Sequence, residues 1–204
     1  MQEDHWHSGK ASAEPPSAWM VRFAGLVPAG GAVLDLACGQ GRHALLFAAR
    51  GHPVTALDRD RAALAALEGV AGIETVAADL EDGASFPLTG CRFAGIVVAN
   101  YLWRPLVPAL LAALAPGGAL LWETFAAGNE EFGRPRNPDF LLRPGELLEM
   151  VRGTLDVVAF EDGRVDTPRP AMVQRIAAMR PPFERAAARL NDYSAAASRA
   201  TGGV

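Results

Sequence analysis

The 204-residue sequence predicts an α/β fold, a mostly parallel sheet covered by helices on both faces. Three observations predict it. Short apolar runs recur along the first 125 residues, each long enough for a buried strand. Amphipathic stretches of about ten residues follow several of them, the connection that parallel strands require. A Gly-x-Gly turn also stands where the first of these runs hands over to a helix.

Taken in order, Pro15-Pro16-Ser17 is a helix start signal, and Ala18–Val27 reads as a short amphipathic helix. Ala32–Ala37 is the first strand, and Gly39–Gly41 turn the chain. Arg42–Arg50 is a helix closed by Gly51. Pro53–Leu57 is the second strand, before an Ala/Leu-rich helix from Arg61 to about Glu68. Ile73–Ala77 and Phe93–Ala99 are strands three and four. Leu106–Leu114 is a helix stopped by Pro116-Gly117-Gly118, and Ala119–Phe125 is strand five. Right-handed crossovers then bring the strand-to-helix loops to one sheet edge, where such sheets bind ligands.

The second half reads differently. Ala126–Leu142 is too long for a plain connection and is a candidate functional loop. Pro144–Val151 has a helical pattern, and Leu155–Glu161 and Met172–Met179 have strand patterns. Residues 1–15 are expected to be a flexible segment and 16–182 one domain. Residues 183–204, Ala-rich and ending Thr-Gly-Gly-Val, are expected to be a weakly ordered tail with one marginal helix.

Composition narrows the function. A net charge of −4 gives no general attraction to a nucleic-acid backbone, so no nucleic-acid partner is expected. The two cysteines, Cys38 and Cys91, form no metal-ligand spacing and predict neither a metal site nor a disulfide framework. No signal-peptide core or membrane-length apolar run occurs, so a cytoplasmic protein free of the membrane is expected.

The chemistry concentrates in Leu34-Asp35-Leu36-Ala37-Cys38-Gly39-Gln40-Gly41. Glycines let backbone approach a ligand closely, and a helix start presents unpaired N–H groups to an anionic group. Asp58 closes the second strand, where an acid accepts hydrogen bonds from ribose hydroxyls; as a bland alternative it caps the next helix, a role Asp60 also fits. Gly39-Gln40-Gly41-Arg42-His43-Ala44 also satisfies the Gly-x-Gly-x-x-Ala form of a dinucleotide fingerprint. Three features oppose a dinucleotide. Asp35, four residues before Gly39, would repel a pyrophosphate and favour an ammonium group. Asp79 ends the third strand, placed to accept from an adenine amino group. Pro116-Gly117-Gly118 makes a sharp turn into strand five.

The strings VLDLACGQGRHALLFAARGHPVTALDRD, AAD and LAPGGALLWETF together resemble class I S-adenosylmethionine-dependent methyltransferases, most nearly the small branch similar to tellurite-resistance-type enzymes. The resemblance covers roughly Pro16 to Arg180, including the text Pro138-Asp139-Phe140-Leu141-Leu142-Arg143-Pro144-Gly145-Glu146. It implies a Rossmann-like three-layer sandwich, with a seven-stranded, mostly parallel sheet and an antiparallel last strand. It implies S-adenosylmethionine as cofactor, with Asp35, Ala37, Gly39 and Gly41 lining its methionine and ribose side. Asp58 would bind the ribose hydroxyls and Asp79 would face the adenine, Arg59 and Leu80 would also bind the cofactor, and Asn100 would lie near the sulfonium and the acceptor. Asn100 is not followed by Pro-Pro-Tyr, so the pattern of amide and nucleobase N-methyltransferases is missing.

The expected function is transfer of a methyl group to a small-molecule acceptor by in-line displacement, in a monomer or homodimer. Alignment and exclusion of water supply much of such a rate, so no acid/base constellation is required. Asn100 and Tyr101 are the candidate catalytic residues on the acceptor side. Trp103, Glu123, Phe125, Arg134 and Arg136 are further acceptor-side candidates. His43 and Cys38 are expected to be structural. The alternatives are an NAD(P)-dependent oxidoreductase using the same turn, and a non-catalytic cofactor-binding module.

Overall fold

The computed structural model describes residues 14–187 and Leu190. The expectations for residues 1–13 and for most of the 183–204 tail therefore lie outside the described residues. Seven strands form one sheet in the order β3-β2-β1-β4-β5-β7-β6. They are β1 (Val33–Leu36), β2 (Val54–Asp58), β3 (Ile73–Ala77), β4 (Phe93–Ala99), β5 (Leu114–Phe125), β6 (Asp156–Val165) and β7 (Ala171–Met179). The first five pair in parallel. The last strand, β7, runs antiparallel to both neighbours, between β5 and β6.

Helices cover both faces, giving three layers. On one side α1 (Ala18–Phe23), α2 (Arg42–Ala48) and α3 (Arg61–Ala65) pack Trp19, Met20, Phe23, Phe47 and Leu64 against Val33, Val97 and Leu121. On the other, α4 (Val107–Ala113) and α5 (Glu146–Val151) pack Leu110, Leu147 and Val151 against Leu34, Leu36, Ile96 and Trp122. The alternation along β5 explains the two cores. Ala119 and Leu121 face one layer, and Leu120 and Trp122 the other.

Caps set the short helices. Asp60 accepts from the Ala62 and Ala63 N–H groups and starts α3. Ser17 accepts from Trp19 N–H and starts α1. Strand five begins earlier than its pattern predicts. Leu114 already pairs with Phe93, and Pro116-Gly117-Gly118 forms a bulge before the register resumes at Ala119 opposite Gly95. Arg180 secures the bulge by exchanging backbone hydrogen bonds with Gly117 and Gly118. No helix occupies residues 78–92 between β3 and β4.

Candidate active site at the carboxyl ends of the strands

Strands β1, β2, β3 and β4 end along one edge, and the predicted site residues meet there. After β1 the chain passes through left-handed backbone at Ala37 (φ 51°), Gly39 (φ 54°) and Gly41 (φ 77°). Asn100, at the tip of β4, is the other non-glycine residue with positive φ among the described residues (φ 55°). Such conformations cost energy and persist where the surroundings over-determine them, commonly at functional sites. Here Asn100 N–H is fixed to the Glu123 carbonyl at 2.9 Å, and Cys38 N–H to Leu57 O at 3.0 Å.

Two carboxylates hold the glycine turn. Asp58 Oδ2 accepts from Gly39 N–H at 2.7 Å, and Oδ1 accepts from Asp60 N–H at 2.9 Å. Asp58 therefore braces the turn while staying half-buried at the opening, and Asp60 takes the capping role. Asp35 is 1% exposed, and its Oδ2 accepts from Ala44 N–H of α2 at 2.8 Å. Burial raises its carboxyl to about 7, against the opposing pull of the Ala44 N–H and Arg42. Above Gly39 there is room: a Cβ built there meets no atom within 4 Å.

Next to this turn, Arg59, Arg61, Ala77, Ala78 and Asp79 line a cleft of about 340 Å³ at the ends of β2 and β3. Asp79 Oδ1 accepts from Glu81 N–H at 2.9 Å, which holds its carboxylate at the rim. Leu80 and Tyr101 pack against the core on the α4–α5 side. Burial pushes the Tyr101 phenol up, and Glu81 and Asp79 add to the shift while Arg59 opposes it. The hydroxyl is buried, with the Glu81 carboxylate beside it. A larger hollow of about 540 Å³ lies between α4 and α5, against Leu111 and Met150. None of the glycine-turn residues lines it.

The acceptor-side candidates separate. Glu123 is buried and forms an ion pair with Arg175, Oε2 to Nε 2.5 Å. Phe125 is buried with Leu141, Ala171 and Val173. Trp103 packs against the α4–α5 core, and Arg134 and Arg136 lie exposed on the 126–142 loop. His43, 2% exposed, accepts from Ser17 N–H at 3.1 Å and joins α2 to α1. Burial, aided by Arg42, lowers its pKa to about 3 and keeps it neutral. Burial also pushes the Cys38 thiol up, which removes it as a nucleophile.

Sequence reasoning did not find the residues that hold the loop. Arg104 makes a two-pronged ion pair with buried Glu146 (2.7 and 3.0 Å) and donates to the carbonyls of Asp139 and Leu141. Asn129, also buried, donates to Pro135 O and accepts from Met172 N–H. Gln174 donates to Arg143 O and accepts from Leu147 N–H. The one signal was the length of the loop.

Residues 33–118 match the model of a methyltransferase-domain family. The matched segment is less than half of the chain. No curated protein matches the chain. Among solved structures it is similar to TehB from Haemophilus influenzae, with 19% identity and a TM-score of 0.65, over 77% of this chain and 60% of that one. It is also similar to a TehB-like SAM-dependent methyltransferase from Corynebacterium glutamicum, with 20% identity and a TM-score of 0.56, over 79% and 86%. The glycopeptide N-methyltransferase MtfA with S-adenosyl-L-homocysteine matches at 22% identity and a TM-score of 0.58, over 82% and 91%. MtfA is also known with sinefungin. At these identities the likeness is one of fold. The chain spans about 60% of the length of the TehB chain. The matched segment contains the glycine turn, Asp58, Asp79 and Asn100, and ends at Gly118 in the bulge that opens β5. Among the described residues no helix is long and apolar enough to cross a membrane, and no group of His, Cys, Asp and Glu could hold a metal ion.

Proposed function

We propose that this chain transfers the methyl group of S-adenosylmethionine to a small-molecule acceptor. The observation that carries this reading is the methyltransferase-domain match, which falls on the carboxylate-braced glycine turn. The donor supplies an activated methyl group on a sulfonium, already equipped with a good leaving group. The chain has to hold the donor, present the acceptor in line and exclude water.

The open space above Gly39 suits the donor's methionine part, bounded by the backbone of Ala37, Gly39 and Gly41. Asp35, behind that turn, favours a nearby ammonium group once it is ionised. Asp58 keeps acceptor capacity for ribose hydroxyls after its two backbone hydrogen bonds, because a carboxylate has about four lone-pair sites. Arg59 stands beside it. Arg61, Ala77, Ala78 and Asp79 line the cleft assigned to adenine, with Leu80 next in the chain, and Tyr101 follows Asn100 on the acceptor side. Asn100 lies at the tip of β4, beside the reacting methyl. A dinucleotide would instead set its pyrophosphate against Asp35.

Calorimetric titration with S-adenosylhomocysteine, S-adenosylmethionine and NADH tests the donor. The two adenosyl compounds are expected to bind and NADH is not. Asp58→Ala should weaken S-adenosylhomocysteine binding about ten- to a hundredfold, the value of hydrogen bonds to a charged group. An unchanged affinity in a folded variant would remove Asp58 from the site.

A further inference from the structure

Glu123 is the most unusual buried group that the donor site leaves unused. It is 8% exposed, on a strand whose other members from Ala119 to Phe125 are mostly apolar. It approaches Arg175 to 2.5 Å, yet neither Glu123 Oε2 nor Arg175 Nε completes a directed hydrogen bond. The two groups lie side by side, with the charge pair intact and the hydrogen-bond geometry absent. Burying a charged pair on those terms is costly, and packed apolar residues commonly do as well or better for stability.

The strand register shows where this carboxylate stands. Ala99 pairs with Glu123, Glu123 with Arg175, and Arg175 with Glu161. Glu123 is therefore one strand spacing, about 4.8 Å, from the residue preceding the Asn100 turn. Residues two apart share a face, so Glu123 lies on the face of Leu121, the side covered by α1 and α2. Asp35 lies on that face too, because it alternates with Val33 and pairs with Val97 opposite Leu121. Arg175 sits between Glu123 and Glu161 (3.4 Å), and Arg22 of α1 follows Glu161 at 3.5 Å. The Arg neighbour of Glu123 is thus flanked by carboxylates on both sides.

We infer that Glu123, positioned by Arg175, receives the hydrogen of the attacking atom, so the acceptor is an amine or hydroxyl carrying N–H or O–H, not an oxyanion. This rests on the methyltransferase reading above. In the transfer, the acceptor's nitrogen or oxygen forms a bond to the methyl carbon and the carbon–sulfur bond breaks. Its electron pair stays on sulfur, and the acceptor's proton passes to the Glu123 carboxylate. Phe125, two residues on and on the same face, is an apolar wall beside it.

Sinefungin tests this without an identified acceptor. It carries a protonated amine where S-adenosylmethionine carries the methyl group, so its N–H donors point at the acceptor position. Wild-type protein should bind sinefungin more tightly than S-adenosylhomocysteine by calorimetry. Glu123→Gln should lower sinefungin affinity about ten- to a hundredfold and leave S-adenosylhomocysteine affinity unchanged. Glu74→Gln removes an exposed carboxylate on β3, outside this ladder, and should preserve the preference. If Glu123→Gln folds poorly, Glu123→Asp makes the same comparison with the charge retained and the reach shortened, and the preference should shrink. Equal sinefungin affinity in wild type and the folded Glu123 variant overturns the inference alone. Failure of both ligands to bind wild type overturns the methyltransferase reading with it.

Discussion

Gly39 and Gly41 share left-handed backbone but differ in what surrounds them. At Gly41 a Cβ would lie 2.4 Å from Leu67 Cδ1 and 2.9 Å from its Cγ, whereas at Gly39 it would enter open space. Gly41→Ala should therefore destabilise the fold by about 2–4 kcal/mol, combining left-handed strain with overpacking. Gly39→Ala should cost only about 1–2 kcal/mol, while weakening S-adenosylhomocysteine binding about tenfold or more by filling the approach to the turn. Urea denaturation and calorimetry on the same two proteins separate the effects, and equal losses of stability would defeat the distinction. At this scale the sequence was informative wherever a residue type carries its own geometry. The two glycines, and Asp60 before a helix, could be read from their places in the chain. Glu123 could not, because its partner Arg175 lies on another strand and only the antiparallel pairing of β5 with β7 brings them together. Nor did the sequence show that Asp58 accepts from a backbone N–H nineteen residues earlier.

Among the elements, the 126–142 loop depends on distant groups. Arg104, just ahead of α4, holds Glu146 of α5 and two loop carbonyls at once. Removing it leaves a buried carboxylate with Arg143 at 3.4 Å as its remaining ionic partner. Arg104→Ala should destabilise the protein by about 2–3 kcal/mol, below the 3–5 of a fully buried pair because Arg143 remains. It should also expose the loop to limited proteolysis. A cleavage rate equal to that of the wild type would show that the loop holds itself. The strands and helices were legible because their hydrophobic periods differ, 2.0 against 3.6. The start of β5 was not, since Pro116-Gly117-Gly118 reads as a stop until Arg180 supplies the hydrogen bonds that carry the strand past it.

For the whole molecule, three buried groups shape the dependence of stability on pH. Asp35, raised from 3.8 to about 7, contributes stability that is complete below pH 3.8 and is lost as pH rises through 7. His43, lowered from 6.5 to about 3, contributes stability present above pH 6.5 and lost as pH falls through 3. Between about pH 4.5 and 6.5 the native state holds a proton on Asp35 and lacks one on His43, and the unfolded chain does the reverse. The two slopes cancel there. Burial would raise Glu146, but Arg104 and Arg143 overcome it and lower its pKa from 4.5 to about 2, so its contribution is lost as pH falls below 4.5. Urea midpoints should thus be nearly flat from pH 6.5 to 4.5 and then drop steeply. In Asp35→Asn the decline should begin at pH 6.5, and a variant profile matching wild type would refute the pairing. The sheet's parallel core and its ligand-binding edge were legible from the alternating elements, and the seven-strand count and reversed last strand from the family resemblance. The place of β7 inside the sheet has a consequence for synthesis. A ribosome delivers β6 before β7, yet β6 reaches β5 only through β7. Until residues 171–179 emerge, the exposed flank of β5 and the whole of β6 are unpaired, so the nascent chain is most vulnerable to chaperone capture or aggregation just before its final strand arrives.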